Sequence, residues 1–155
     1  TRGRNATPDT FATTAEFQAV RARYPEFGRF IVESDDRGHR RVAVIGAKLR
    51  DDLKMPENPV GQYFTIGSEW FKVVGMMEKR GEILGFSQDN YVIVPFDVGR
   101  ALVGHNEKPF LSVSFTVPKI EEVEEVRERV NRAIRVRARS SPAKRMISRS
   151  RPPIR

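Results

Sequence analysis

Hydrophobic and polar positions along the chain predict a mixture of short strands and short helices. Runs of β-branched or aromatic residues predict strands, whereas apolar residues three or four positions apart predict amphipathic helices. Strands are predicted at residues 41–45, 62–66, 70–77, 91–94 and 110–117, and short helices at 16–24, 47–55 and 96–103. We therefore expect an α+β fold, in which a mixed sheet carries short helices and a small β-rich hairpin lobe.

The clearest helical signal lies near the C-terminus. Ile120, Val123, Val130 and Ile134 recur at helical spacing, with Val126 or Arg127 between them. Glutamates fill the first half of this segment and arginines the second, an order that complements the helix dipole and permits ion pairs between residues four apart. The pattern predicts a long C-terminal amphipathic helix over 119–135, docked through its apolar stripe and solvated on its charged face.

The charge is unevenly distributed along the chain. There are 28 Lys and Arg against 20 Asp and Glu, a net charge of +8 over 155 residues. Seven basic residues and no acid lie in residues 136–155, so 8 − 7 leaves +1 for residues 1–135. The same tail is rich in Ser and Pro, a composition typical of solvated segments. We therefore expect a poorly packed lead-in over 1–24, a folded domain over 25–135 and a basic, disordered tail over 136–155.

The composition excludes several classes of protein. The chain contains no cysteine, which excludes thiol nucleophiles, Cys-ligated zinc and disulfides. No apolar run reaches the roughly 18 residues that a membrane-spanning helix requires. The opening sequence TRGRNATPDTF also lacks the apolar segment of a signal peptide. We expect any membrane anchor to lie outside this chain.

Candidate catalytic and metal-binding groups do not form a recognisable motif. Asp35, Asp36 and His39 could converge on a metal ion, but solvated turn residues are the favoured interpretation, because no fixed ligand spacing supports a site. Ser87 lies in GFSQD, which lacks the closing glycine and the strand–turn–helix context of a hydrolase nucleophile. A hydrolase would require Asp35, His39, Ser87 and Asp89 to meet in one pocket.

A strand, a glycine and a helix follow one another at Gly46, which is how phosphate-binding sites are built. The sequence VAVIGAKL has neither the further glycines of a dinucleotide fingerprint nor the GK[ST] of a phosphate loop. A tight strand-to-helix turn is the favoured interpretation. We therefore expect no enzymatic activity, no catalytic residue, no cofactor and no metal.

Exposed apolar residues and the basic tail are the candidate binding features. Ile83 and Phe86 lie in a glycine-flanked segment predicted to be a mobile surface loop, where core packing and partner contact are equally open. Trp70 and Phe71 are assigned to the core. The tail has no aromatic to stack on bases and no apolar helical face, so a solvated terminus is favoured. A small nucleic-acid-binding protein that acts through this tail is the alternative function.

An ordered series of fragments resembles the periplasmic core domain of MacB-type permeases, the macrolide-export and FtsX-like group of ABC transporters. The matching positions are mostly glycines, prolines and β-branched residues at turns and strand ends. They are Gly28, Arg29, Phe30, Asp35, Val42, Val44, Ile45, Gly46, Asn58, Pro59, Gly61, Val73, Val74 and Gly75, with Asp89 and Pro95 at less strict spacing. The resemblance extends over about residues 25–135.

The resemblance implies a non-catalytic, extracytoplasmic domain inserted between the first two transmembrane helices of an inner-membrane permease. The implied partners are the rest of the permease, its cytoplasmic ATPase and a periplasmic adaptor protein, in a homodimeric transporter with no nucleic acid. Such a domain would contact its partner and couple ATPase-driven motion to export. No catalytic or cofactor-binding residue is carried over, and the matching positions are interpreted as structural.

The sequence departs from the family pattern at both ends. From the resemblance we expect the family's first transmembrane helix and initial strand–helix portion to lie outside this chain, and residues 136–155 do not resemble the approach to the second transmembrane helix. Runs of Arg, Ser and Pro are common products of frame shifts in GC-rich coding sequence. We therefore expect the tail to derive from a shifted reading frame or a truncated gene. An unpaired, exposed edge on the strand over 110–117 would be consistent with the missing N-terminal portion.

Overall fold

The computed structural model of the chain describes residues 6–103, 114 and 116–140, with side chains as far as Val136. The strands are Asp9–Thr13 (β1), Pro25–Gly28 (β2), Val42–Ile45 (β3), Tyr63–Ile66 (β4), Glu69–Met77 (β5), Glu82–Ile83 (β6), Phe86–Ser87 (β7) and Tyr91–Pro95 (β8). The helices are Phe17–Arg21 (α1), Glu33–Arg37 (α2), Ala47–Asp52 (α3), Phe96–Val103 (α4) and Val123–Ser140 (α5), the last preceded by a 3₁₀ turn over Ile120–Glu122. The predicted α+β fold is confirmed. The chain divides into two units, Thr1–Ser114 and Phe115–Arg155.

A six-stranded mixed sheet forms the centre of the first unit, in the order β1-β8-β3-β5-β2, and β4 pairs with β5 off this path. Two neighbouring pairs, β1–β8 and β3–β5, are parallel, and the others are antiparallel. The first half of β5 pairs with β4, and its second half pairs with β2. The long strand β5 therefore ties the predicted hairpin to the rest of the sheet.

Both faces of the sheet are covered by apolar side chains. Ile45, Phe71 and Val73 belong to one buried cluster together with residues of α3 and α4. The opposite cluster contains Phe30, on which the ring of Phe17 from α1 stacks at a centroid distance of 5.8 Å. Every residue of β3 and β8 is buried, as expected for central strands whose sequences are continuously apolar.

Gly75 is a point of close backbone approach. The register between β3 and β5 shifts here, because Ala43 pairs with Val73 and Val44 pairs with Gly75. A Cβ atom at Gly75 would lie 2.1 Å from the carbonyl oxygen of Arg29. The β2 end of the sheet can therefore close against β5 only because this position has no side chain.

The structure differs from the expected loose lead-in over residues 1–24, because residues 6–24 join the sheet and its core. All five residues of β1 pair in parallel with β8, and Ala6 packs against the apolar cluster beneath α3 and α4. The β1 sequence DTFAT contains one large apolar residue. The pattern of hydrophobic residues did not predict this strand, because the strand is mostly polar and is held by its pairing with β8. That partner lies some eighty residues away, as the pairing of Asp9 with Tyr91 shows.

Two segments predicted as a bend and a loop contain regular structure. Residues Glu33–Arg37 form the single-turn helix α2, where the Asp35 carboxylate accepts the backbone N–H of Val32. The stretch EKRGEILGFSQDN, predicted to be a mobile surface loop, contains the β6–β7 hairpin. Both elements depend on a carboxylate that binds backbone N–H groups, a type of contact that hydrophobic patterning does not report.

The predicted C-terminal amphipathic helix is confirmed as α5, which continues to Ser140 instead of ending near Arg135. Residues 136–140 are therefore helical and not part of a disordered tail. Ile120, Val123 and Ile134 of the apolar stripe are exposed. The docking of this stripe stays a prediction. Among the described helices, none is long and apolar enough to cross a membrane.

Several predictions concern residues outside the described ranges. The strand over 110–117 falls largely on such residues, and 114, 116 and 117 have no regular structure. Residues 141–155 of the basic tail also lie outside the described part of the chain. The nucleic-acid alternative depends on this tail and stays a prediction.

Candidate functional site

The β6–β7 hairpin presents an apolar tip to solvent. Ile83 pairs directly with Phe86 across the hairpin, and Leu84 and Gly85 form the two-residue turn between them. The exposed fractions of Ile83, Leu84 and Phe86 are 56%, 93% and 78%. Directly opposed residues of a hairpin lie on one face about 5 Å apart. The three side chains, which we call the hairpin tip, therefore form a small apolar surface.

Leu84 has an unusual backbone conformation for its residue type. Its φ is 51° and that of Gly85 is 79°, the two positive angles that a type I′ turn requires. Asparagine and glycine are favoured at such positions, whereas the left-handed region costs leucine about 1–2 kcal/mol. An exposed leucine here opposes both folding and solubility. This combination of strain and exposure marks Leu84 as a candidate contact residue.

Replacement of Leu84 by asparagine should raise the free energy of unfolding by about 0.5–1 kcal/mol, because asparagine tolerates the left-handed conformation. Chemical denaturation of the full chain measures the change. The matched control is Ile83→Asn, which removes the same kind of exposed apolar side chain at a strand position and should not stabilise. A loss of stability in Leu84→Asn would contradict the strain assigned to this residue.

Asp89 holds the base of the hairpin. Its buried side chain accepts the backbone N–H of Arg80 at 2.9 Å through Oδ1 and that of Gly81 at 2.8 Å through Oδ2. Its own backbone N–H donates to Oγ of Ser87 at 3.2 Å. Both strands of the hairpin therefore start from the same carboxylate-centred network, which restrains the base that carries the hairpin tip.

The main chain at Asp89 joins the hairpin base to the sheet and to α3. The N–H of Lys48, in the first turn of α3, donates to the carbonyl oxygen of Asp89 at 3.1 Å, and the N–H of Gly46 donates to that of Tyr91 at 3.0 Å. A Cβ at Gly46 would lie 2.1 Å from the Asp89 carbonyl oxygen. Gly46 therefore makes the tight strand-to-helix turn that the sequence favoured. The close contact between its backbone and the Asp89 carbonyl explains why this position is glycine, without a phosphate ligand.

A second buried carboxylate, Asp35, organises the start of α2. Arg29 donates to both of its oxygens, at 2.7 and 3.2 Å, and the N–H of Val32 donates at 3.1 Å. Burial opposes ionisation, but these hydrogen bonds and the nearby charge of Arg40 outweigh it, so the pKa of Asp35 lies below its usual value. All of these contacts are structural.

The other acidic candidates also have local structural roles. Oδ1 of Asp36 accepts the N–H of Asp97 at 2.8 Å and caps the first turn of α4. The bonds of Asp35 and those of Ser87 with Asp89 belong to two separate networks, so these bonds give no support to the hydrolase group considered with His39. In the described part of the chain, no three side chains are grouped so as to hold a metal ion.

The remaining motif positions lie in the sheet or at its turns. Arg29 and Phe30 follow β2 directly, and Phe30 is buried. Gly28 is the last residue of β2, Pro59 and Gly61 belong to the turn before β4, and Pro95 ends β8.

Trp70 is a surface residue that the sequence interpretation placed in the core. It is 55% exposed, whereas the neighbouring Phe71 is fully buried. Tyr63, on the paired strand β4, is 60% exposed. Register decides which of two adjacent aromatic residues faces inward, and register depends on the pairing of β5 with β3 and β4. Only the alternation of side chains along β5 could have suggested the outward position of Trp70.

Comparison with known proteins identifies relatives among transporter subunits. Residues 1–133 match the model of the MacB-like periplasmic core domain. The chain is 36% identical over 90 residues to a pyoverdine export ATP-binding/permease protein of Pseudomonas putida, and 34% identical over 105 residues to a macrolide export ATP-binding/permease protein of Nitrosomonas europaea. These matches cover 56% and 66% of this chain but only 14% and 16% of the relatives.

Two solved structures share the fold. The periplasmic region of MacB from Actinobacillus actinomycetemcomitans superimposes with a TM-score of 0.60 at 15% identity, over 81% of this chain and 56% of that one. The extracellular domain of the transporter YknZ from Gram-positive bacteria gives a TM-score of 0.56 at 15% identity, over 74% and 56% of the two chains. The sequence motifs, the mixed sheet and these matches agree, and the chain belongs to the family of MacB-like periplasmic core domains.

Proposed function

We propose that this domain is a non-catalytic, partner-binding part of an export permease, and that the hairpin tip makes the contact. The observation that carries the proposal is an exposed apolar tip held rigidly on a buried carboxylate. Interface residues that dominate binding energy are large, well packed and fixed before binding. Phe86 is a large exposed aromatic residue beside the exposed Leu84, and their partner is a protein that offers a complementary apolar pocket in which Phe86 would become buried.

The position of Asp89 supports a role in coupling. Its side chain binds the hairpin, its carbonyl oxygen binds α3, and the next strand, β8, begins at Tyr91. β8 lies between β1 and β3 in the sheet. A displacement of the sheet would therefore be transmitted to the hairpin tip through the hydrogen bonds of Asp89. This connection suits a domain that relays motion from an ATPase to a bound partner.

The rest of the transporter is inferred from the proteins to which this chain is similar. Proteins named for macrolide and pyoverdine export contain a segment like this chain. We propose by analogy an inner-membrane exporter with a cytoplasmic ATPase, a homodimeric permease and a periplasmic adaptor. We propose that the domain itself has no enzymatic activity, since Asp35, Asp36 and Asp89 use their carboxylates for hydrogen bonds within the fold.

The test uses the permease that contains this domain, in its native membrane. Phe86→Asn should reduce export of the transported substrate at least tenfold, because loss of a central interface residue costs more than about 2 kcal/mol. Basal ATP hydrolysis and the amount of permease in the membrane should not change. Export rate and ATPase rate are measured on the same membranes.

Tyr24→Asn is the matched control, because Tyr24 is also an exposed aromatic residue but lies outside the hairpin. It should export at the unmodified rate. A photoreactive residue at position 84 should cross-link to a periplasmic protein only when Phe86 is present. Normal export by the Phe86→Asn permease would refute the contact, and an equal loss in both variants would mean that the hairpin tip has no special role.

A further inference from the structure

The β4–β5 hairpin has a second surface that is separate from the hairpin tip. Tyr63 lies opposite Lys72, and Thr65 lies opposite Trp70. These four side chains alternate with the buried Phe64 and Phe71 and so share the outer face of the hairpin. Tyr63 and Trp70 are diagonal neighbours, within reach of one another's side chains. We call these four residues the aromatic face.

The outer edge of β4 is available for hydrogen bonding. Within the described residues, β4 pairs only with β5. The two-residue turn at Gly67 and Ser68 makes the pair of Ile66 with Glu69 a hydrogen-bonded one. Pairs alternate along antiparallel strands, so the N–H and C=O groups of Tyr63 and Thr65 point away from β5. These groups form the edge that a further strand would bind.

This edge lacks the usual protection against pairing. Sheet edges are normally blunted by lysine, proline or a bulge, but β4 reads YFTI and has no charge and no proline. On the adjacent strand β5, the exposed Lys72 forms no ion pair with any described residue. The ammonium group of Lys72 therefore remains available for an acidic group on an incoming chain.

We infer that the β4 edge binds an extended segment of a partner protein by strand addition, with an acidic side chain directed to Lys72. Main-chain bonds to Tyr63 and Thr65 supply affinity, and the aromatic face supplies specificity. The incoming strand would lie about 10 Å from β5, twice the spacing between strands. The side chains of Lys72 and a glutamate together span that distance. This surface does not depend on the hairpin tip.

The test titrates the full 155-residue chain, labelled with nitrogen-15, with a synthetic peptide of alternating valine and threonine around a central glutamate. The amide signals of Tyr63 and Thr65 should shift and saturate. Trp70→Ala should weaken binding about tenfold, the effect of losing about 1.4 kcal/mol. Thr65→Pro should abolish it, because proline removes an outward N–H and leaves the β4–β5 bonds intact.

Three controls decide the outcome. A peptide N-methylated on the edge that faces β4 should not bind, and a peptide with lysine in place of glutamate should bind at least threefold more weakly. Phe11→Ala removes an exposed aromatic on the opposite edge strand β1 and should bind normally. The inference is overturned if signals in β1 shift instead, if the methylated peptide binds equally well, or if no β4 signal moves. Concentration-dependent dimerisation through β4 without peptide would show that a second copy is the occupant, and would also overturn it.

Discussion

Replacing Gly75 with alanine should lower the free energy of unfolding by more than about 3 kcal/mol, or should prevent folding altogether. A loss of this size is at the upper end of what overpacking causes. The added methyl group would lie 2.1 Å from the carbonyl oxygen of Arg29. That oxygen belongs to the main chain, so relief of the clash requires β2 to separate from β5. The urea midpoint, followed by circular dichroism, measures the loss.

Gly67→Ala is the matched control for Gly75. A Cβ at Gly67 would have nothing within 4 Å, and the φ of 61° is its only restriction. This variant should therefore lose only the 1–2 kcal/mol that a left-handed residue costs. Equal losses in the two variants would show that close backbone approach is not what restricts position 75.

Asp35→Ala should destabilise the domain by about 2–4 kcal/mol, because it removes the buried acceptor of several hydrogen bonds, two of them charge-assisted. The substitution leaves the Arg29 guanidinium and the N–H of Val32 without their shared acceptor. Arg29 is partly exposed and can recover some hydration, which favours the lower end of this range. Glu33→Ala is the control, because Glu33 forms an exposed ion pair with Arg37 and should change stability by less than about 1 kcal/mol.

The contribution of Asp35 should depend on pH in a defined direction. Its pKa in the folded protein lies below its usual value of about 3.9, so the unfolded chain binds the proton more readily. The stabilisation is complete above the unfolded pKa and is lost as the pH falls through the folded pKa. Stability curves of the natural chain and of Asp35→Asn should therefore converge below pH 4. A constant difference between them at all pH values would show that the carboxylate charge is not responsible.

The central strands could be predicted because local sequence and burial agree there. VAVI and YVIVP are apolar at every position, and both become strands buried on two faces. The helix at 119–135 was predicted for a similar reason, since its period is independent of tertiary contacts. The resemblance to the MacB-like family rested on these same strands and on the turns between them, and the family match confirmed it.

The candidate sites were only partly predictable, because they depend on contacts between distant residues. Ile83 and Phe86 were identified as possible contact residues, but the hairpin that carries them forms around Asp89, whose role depends on two backbone N–H groups. The outward position of Trp70 depends on the register of β5. Hydrophobic patterning records neither a carboxylate's hydrogen bonds nor the register of a pair, so these features appear only in three dimensions.

The attachment of the β6–β7 hairpin has a consequence for how related transporters could diverge. Asp89 and the backbone beside Gly46 hold the hairpin base, whereas residues 83, 84 and 86 project into solvent. The residues of the hairpin tip can therefore be substituted while the sheet beneath them remains unchanged. Under the proposed function, a change of partner would require substitutions at only a few positions, and a tip transferred between homologues that retain the carboxylate at its base should transfer the partner preference.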